Sequence, residues 1–160
     1  MAILDKRRTD QRTSVNSEPF WLSSATINAA DFGKEIMLAS FPKNNYFVLA
    51  ALIEVITAFD AAATINIGQG TIATDVITTG GAMSVVDMDY YIPTADITEA
   101  TIGKYPAASG AFVTALAAGT IPLIQGAAAT VPTIYATTTN VPTVGSCKVH
   151  LLLAKVPTIS

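Results

Sequence analysis

The stretch "YFVLAALIEVITAFDAAATINIGQG", Tyr46 to Gly70, decides the fold of this 160-residue chain. It is almost uninterrupted apolar sequence with a single glutamate, Glu54, then an Asp-Ala-Ala-Ala break at 60–63, then strict alternation. Alanine and leucine would support a helix. Val48, Ile53, Val55, Ile56 and Thr57 are β-branched, however, and Tyr46 and Phe47 also favour strands. In "TINIG", Ile65 and Ile67 fall on one face and Thr64 and Asn66 on the other. The apolar run over 46–59 is too short to span a bilayer and contains Glu54 and Thr57. It reads as a long strand covered twice, by its own core and by a second layer or a partner. The Asp-Ala-Ala-Ala link reads as a hairpin loop leading into a half-buried strand. Glu54 is expected where one face emerges to solvent or meets a partner's donor.

Working outward, strands are expected around 25–28 and 35–40, with Pro42 and Asn44-Asn45 turning the chain into the long apolar run. "AMSVVDMDYYI" at 82–92 alternates as a strand, and "ITEATIG" at 97–103 is a weaker one. "TIPLIQG", "TVPTIYATTTNVPTVG" and "CKVHLLLAKVPTIS" read as three more strands separated by turn residues. Several short strands, no long helix and frequent turns predict an all-β fold, a β-sandwich of jelly-roll-like type. Residues 1–19, polar and closed by Pro19, read as an extended N-terminal arm, and 20–160 as a single β-sandwich domain. Phe20, Trp21 and Leu22 follow the arm as an apolar anchor on the chain's own domain or on a neighbour.

The chain is 51% hydrophobic but only 13% charged, about half the usual charged share of a soluble domain. A subunit that covers much of its surface with neighbours needs less solubilising charge. Residues 1–12 carry Lys6, Arg7, Arg8 and Arg12 against Asp5 and Asp10, whereas 13–99 carry ten acids against Lys34 and Lys43. Residues 100–160 carry Lys104, Lys148 and Lys155 and no acid. The arginines thus form a basic arm with interspersed acids in a chain of pI 4.9, so no nucleic-acid partner is expected. No secretory signal and no membrane partner are expected either. One cysteine excludes an internal disulfide framework and a multi-cysteine zinc cage.

Cys147 and His150 suggest a nucleophile and base, but residues three apart on a strand face opposite sides. Asp87 and Asp89 share a strand face and could ligate calcium with Asp96 or Glu99, although the spacing carries no calcium-loop signature. Glu54 and Glu99 could serve as glycosidase carboxylates only across a cleft. "GQGTIA" and "GKYP" lack the phosphate-loop pattern. Phe20-Trp21 and Tyr90-Tyr91 could stack on a sugar or pack at strand and interface positions. No residue is assigned to catalysis and no cofactor or metal is expected.

The segment "FPKNNYFVLAALIEVITAFDAAATINIGQG" resembles small virion proteins of tailed bacteriophages, through Val55, Thr57, Ala58, Phe59, Asp60, Thr64, Ile65, Ile67 and Gly68. "ATDVITTGG" fits the Asp-containing loop that follows in such proteins. The resemblance implies a non-enzymatic β-sandwich subunit that decorates or cements a capsid, often as a trimer. The implied partners are the major capsid protein and neighbouring copies. The implied location is the virion surface, after assembly in the host cytoplasm. On that view Arg7, Arg8 and Arg12 pair with acidic patches on a neighbour, and Phe20, Trp21 and Leu22 anchor the arm. The alternative is a carbohydrate-binding or host-attachment module on a head or tail fibre.

Overall fold

The computed structural model describes residues 3–5, 18–60, 63–73, 83–126 and 130–156. The strands among them are β1 (Ile3–Asp5), β2 (Phe20–Ser23), β3 (Ile27–Asn28), β4 (Glu35–Ser40), β5 (Tyr46–Thr57) and β6 (Thr64–Ile72). They continue as β7 (Ser84–Ile92), β8 (Gly103–Pro106), β9 (Leu123–Ile124), β10 (Val131–Thr139) and β11 (Ser146–Lys155), with one α-helix, α1 (Gly110–Ala117). One sheet has the order β1-β4-β10-β6-β7 and the other β2-β11-β5-β8, with β3 added on β11 and β9 on β5. β1 runs parallel to β4, and the remaining pairs are antiparallel. This is the all-β sandwich that the strand pattern predicts. β1 lies within the segment expected to be an arm.

The core is built from alternate residues of both sheets. β5 contributes Val48, Ala51, Ile53 and Val55, and β11 contributes Cys147, Val149, Leu151 and Leu153. Ile65 and Ile67 of β6 and Ile134 and Ala136 of β10 meet them from the other sheet. Each fully buried aliphatic side chain of this kind stabilises the fold by about 1.5–3 kcal/mol. The β5–β11 register shifts between Ser146 and Cys147 and again between Leu152 and Leu153. These bulges keep the long strand's inward face aligned with its partner's.

The expected hairpin between β5 and β6 does not form. β5 is flanked by β11 on one side and by β8 and β9 on the other, whereas β6 pairs with β10 and β7 in the opposite sheet. The link therefore crosses from one sheet to the other, and Asp60 ties the crossing down. Its Oδ2 accepts from the Thr143 amide at 2.8 Å and the Thr143 hydroxyl at 2.9 Å. The Phe59 amide donates to the Glu99 carbonyl at 2.7 Å. Phe59 is buried with its ring 4.7 Å from that of Phe32. Gly145, at a φ of 128°, leaves room for it: a Cβ there would lie 2.1 Å from the Phe59 ring.

Two shorter expectations also change. The segment 97–103 is a turn, with the Thr101 amide bonded to the Thr98 carbonyl, and pairing with β5 starts only at Gly103. Around 25–28 only Ile27–Asn28 pairs, while Phe20–Ser23, expected as an anchor, is itself a strand on β11. Residues 110–117 form a short helix, and Asp96 fixes the chain just before it by accepting the amides of Ala108 and Ser109 at 3.0 and 2.9 Å. Among the described residues no helix is long and apolar enough to cross a membrane.

Candidate functional site

Alternation that sends β5 and β11 residues into the core sends their neighbours to the outer face of the second sheet. Register aligns Lys148, Glu54 and Lys104 in one row across β11, β5 and β8. Ser23, His150 and Leu52 form the next row, and Trp21, Leu152 and Ala50 the one beyond. Ser23 Oγ lies 2.7 Å from His150 Nδ1, and His150 Nε2 lies 2.9 Å from Glu54 Oε2. Lys104 Nζ approaches Glu54 Oε1 at 3.8 Å. A carboxylate only accepts, so the neutral imidazole carries its proton on Nε2 and accepts the Ser23 hydroxyl proton at Nδ1. Trp21, 55% exposed, walls this group on one side. Together with Leu52 it bounds an open depression of about 280 Å³ floored by Glu54, Lys104 and His150.

The order hydroxyl, imidazole, carboxylate is that of a hydrolytic relay. Such a relay needs amide donors aimed at the developing oxyanion. The amide following the hydroxyl, that of Ser24, is spent on the Val149 carbonyl at 2.8 Å. Ser23 lies on a regular strand, and the open depression of about 280 Å³ is at the small end of the roughly 300–1,000 Å³ typical of small-molecule sites. The arrangement offers hydrogen bonds, one cation and an apolar wall on a flat face.

The sequence-predicted residues separate accordingly. Phe20 and Leu22 pack against the core, with the Phe20 ring edge-on to Tyr46 at 6.2 Å, and only Trp21 of the three points outward. Arg7, Arg8 and Arg12 lie outside the described residues. Cys147 is buried while His150 sits on the outer face, as their spacing predicts. Burial, helped by the Asp31 charge, pushes the Cys147 thiol up to about 12. Tyr91 is buried against Tyr90 and Phe112 at ring distances of 4.9 and 5.4 Å, so this pair packs. Burial and then the neighbouring Tyr90 raise the Tyr91 hydroxyl further above its ordinary value.

The acids proposed for calcium do not converge. Burial alone would raise Asp96, but bonds from the Ser109 hydroxyl and the Ala108 and Ser109 amides outweigh it and hold the carboxylate below its usual range. Asp89 is raised, first by its hydrogen bond with Asp87 and then by partial burial and the Asp87 charge. Among the described residues no three His, Cys, Asp or Glu side chains are grouped to hold a metal. Glu54 is on the outer face with His150, and the Glu99 backbone serves the sheet crossing. The Ser23–His150–Glu54 group was hidden from sequence reasoning. The parity of His150 against Cys147 was the available signal, and the cross-strand register that sets it opposite Ser23 and Leu52, diagonal to Glu54, was not.

No family model matches this chain, and no curated protein matches its sequence. Its fold is shared with a chain of a phage capsid. That chain belongs to the structure of the capsid of Ralstonia phage GP4, with a TM-score of 0.59 over 98% of this chain and 100% of that one. Sequence identity is 18%, so the likeness concerns the fold alone. A chain of the acidic stable capsid of the Helicobacter pylori bacteriophage KHP30 aligns over 90% of this chain and 92% of its own. Its TM-score of 0.48 at 16% identity is too low to bear on the argument.

Proposed function

We propose that this chain is a non-enzymatic bacteriophage virion structural protein, a decoration or cement subunit that binds the major capsid lattice and neighbouring copies. The observation that carries the proposal is the outer face of the second sheet. There Trp21, on the edge strand β2, is exposed beside Leu52 and Leu152 over a hydrogen-bonding floor, a combination suited to being covered by another protein. The end-to-end fold likeness to a capsid chain supports the same reading, as does the low charge content. The mechanism is interface burial: a standard contact covers on the order of 1,600 Å², and repetition over a lattice converts each contact into reinforcement of the shell. Arg7, Arg8 and Arg12 are assigned to acidic patches on a neighbour. Phe20 and Leu22 hold β2 to the core so that Trp21 can meet the partner. The assembled form is a homo-oligomer, a trimer by preference, on the virion surface after assembly in the host cytoplasm.

The test is binding of the purified chain to undecorated capsids. Saturation at a fixed ratio to the major capsid protein, weakened by Trp21→Ala, is the expected result. Failure to bind any shell sinks the proposal. Loss of affinity on deleting residues 1–19 would assign the arm its role, and unchanged affinity would remove it. A second reading, a sugar-binding or host-attachment module, is favoured by the exposed Trp21 standing over Ser23, His150, Glu54 and Lys104. Glycan-array binding lost in Trp21→Ala would support it.

A further inference from the structure

The two sides of the sandwich differ in charge. On the second sheet, Lys104 and Lys148 flank Glu54 in one row, with Trp21 and Leu52 two strands apart on the same face. On the first sheet, the edge strand β7 exposes Val86 at 63% and Met88 at 52%, alternating with Asp87 and Asp89. On β7 the Asp89 amide donates to Asp87 Oδ1 at 3.3 Å, and β10 carries the buried Tyr135 hydroxyl. Burial first, and then the charges of Glu35, Asp87 and Asp89, push that hydroxyl up to about 12. The outer face of the second sheet therefore carries more lysines than carboxylates beside an exposed indole, and the β7 edge carries the carboxylates of Asp87 and Asp89. The core separates them, so a single copy cannot bring its own two sides together.

The form of β7 narrows the options. Its pairing with β6 is broken twice, between Ile67 and Gln69 and between Gln69 and Gly70 on the β6 side. A bulged, carboxylate-bearing edge is poorly suited to adding another strand. It can still lie as a ridge across a flat face.

From this complementarity we infer that copies of this chain associate head to tail: Asp87 and Asp89 of one copy face Lys104 and Lys148 of the next. The contact is heterologous, so repetition closes into a ring or continues along a lattice. It deepens the proposed shell role by naming a second copy as the occupant of this face, and it rests on that role only for its place in a virion.

Charge reversal tests the contact in solution, with no shell present. Lys104→Glu/Lys148→Glu and Asp87→Lys/Asp89→Lys proteins are prepared, and their folds are compared by circular dichroism. Sedimentation velocity should show self-association of the unaltered chain. Each reversed protein alone should associate at least about tenfold more weakly, and an equimolar mixture should return to within about threefold of the unaltered chain. The mixture recovers because each altered side then meets an opposite charge. A zero-length carbodiimide should join the Lys104 peptide of one isotope-labelled copy to the Asp87 peptide of another. If Asp87→Lys/Asp89→Lys disturbs β7, Asp87→Asn/Asp89→Asn should still weaken association. The inference is overturned by an unaltered chain that stays monomeric to about 1 mM, by reversed proteins that associate normally, or by a mixture that does not recover. Shell binding that survives such a result would leave the virion role standing. Head-to-tail association without shell binding would do the reverse.

Discussion

Gly68→Ala is the sharpest probe of how the first sheet is put together. A Cβ at Gly68 would lie 2.3 Å from the Asp87 carbonyl oxygen and 2.5 Å from the carbonyl carbon and oxygen of Met88. Ordinary contact begins about 1 Å farther out, and all three obstructing atoms are backbone, so no side chain can swing aside. Overpacking costs about 1–3 kcal/mol. The upper end applies here, because β7 must lift from β6 and weaken the flanking pairs Gln69–Asp87 and Ile67–Ile92. At about 2–4 °C per kcal/mol for a chain of this size, the melting temperature should fall by about 6–12 °C. Differential scanning calorimetry measures the shift, and amide hydrogen exchange should show faster exchange in 84–92 than in β5. A stability change under about 0.5 kcal/mol, the level of an inert surface substitution, would refute the placement of the β7 bulge over Gly68.

Leu151→Ala, at a fully buried position, should cost about 2–5 kcal/mol in urea unfolding. Trp21→Ala should cost no more than about 1 kcal/mol, and a larger loss would make Trp21 a core residue. Cys147 should resist Ellman's reagent in the native chain at pH 8 and react once unfolded, because its thiol is buried and raised to about 12. Rapid native labelling would contradict that burial. Asp96→Ala should destabilise by about 1 kcal/mol through the lost amide and hydroxyl bonds. Because its folded pKa is lowered, the Asp96 contribution is full above the unfolded carboxylate value of about 3.9 and is lost as pH falls through the folded value. The variant's deficit should therefore shrink in acid. A deficit constant down to pH 2 would contradict the assignment.

The part of the fold legible in the sequence is the part fixed by local chemistry. β-branched density over 46–57 outweighs its alanines and leucines, and the strand forms there. The alternation in 64–72 likewise gives a strand. Whether those two strands pair was not local. It depends on β8, β9 and β11 occupying both edges of β5, and on Asp60 reaching Thr143, 83 residues away in sequence. The helix at 110–117 is too short for its apolar period to stand out, although its three alanines favour it. The site divides in the same way. That Cys147 and His150 face opposite sides follows from strand geometry alone. That His150 meets both Ser23 and Glu54 follows from the cross-strand registers of β11 with β2 and with β5, which no short pattern encodes.

The role assigned to this chain stands or falls on how many copies a purified particle contains. Quantitative mass spectrometry against the major capsid protein measures this directly. A lattice-covering subunit predicts a simple whole-number ratio and hundreds of copies per head. A handful of copies, or none, would contradict it.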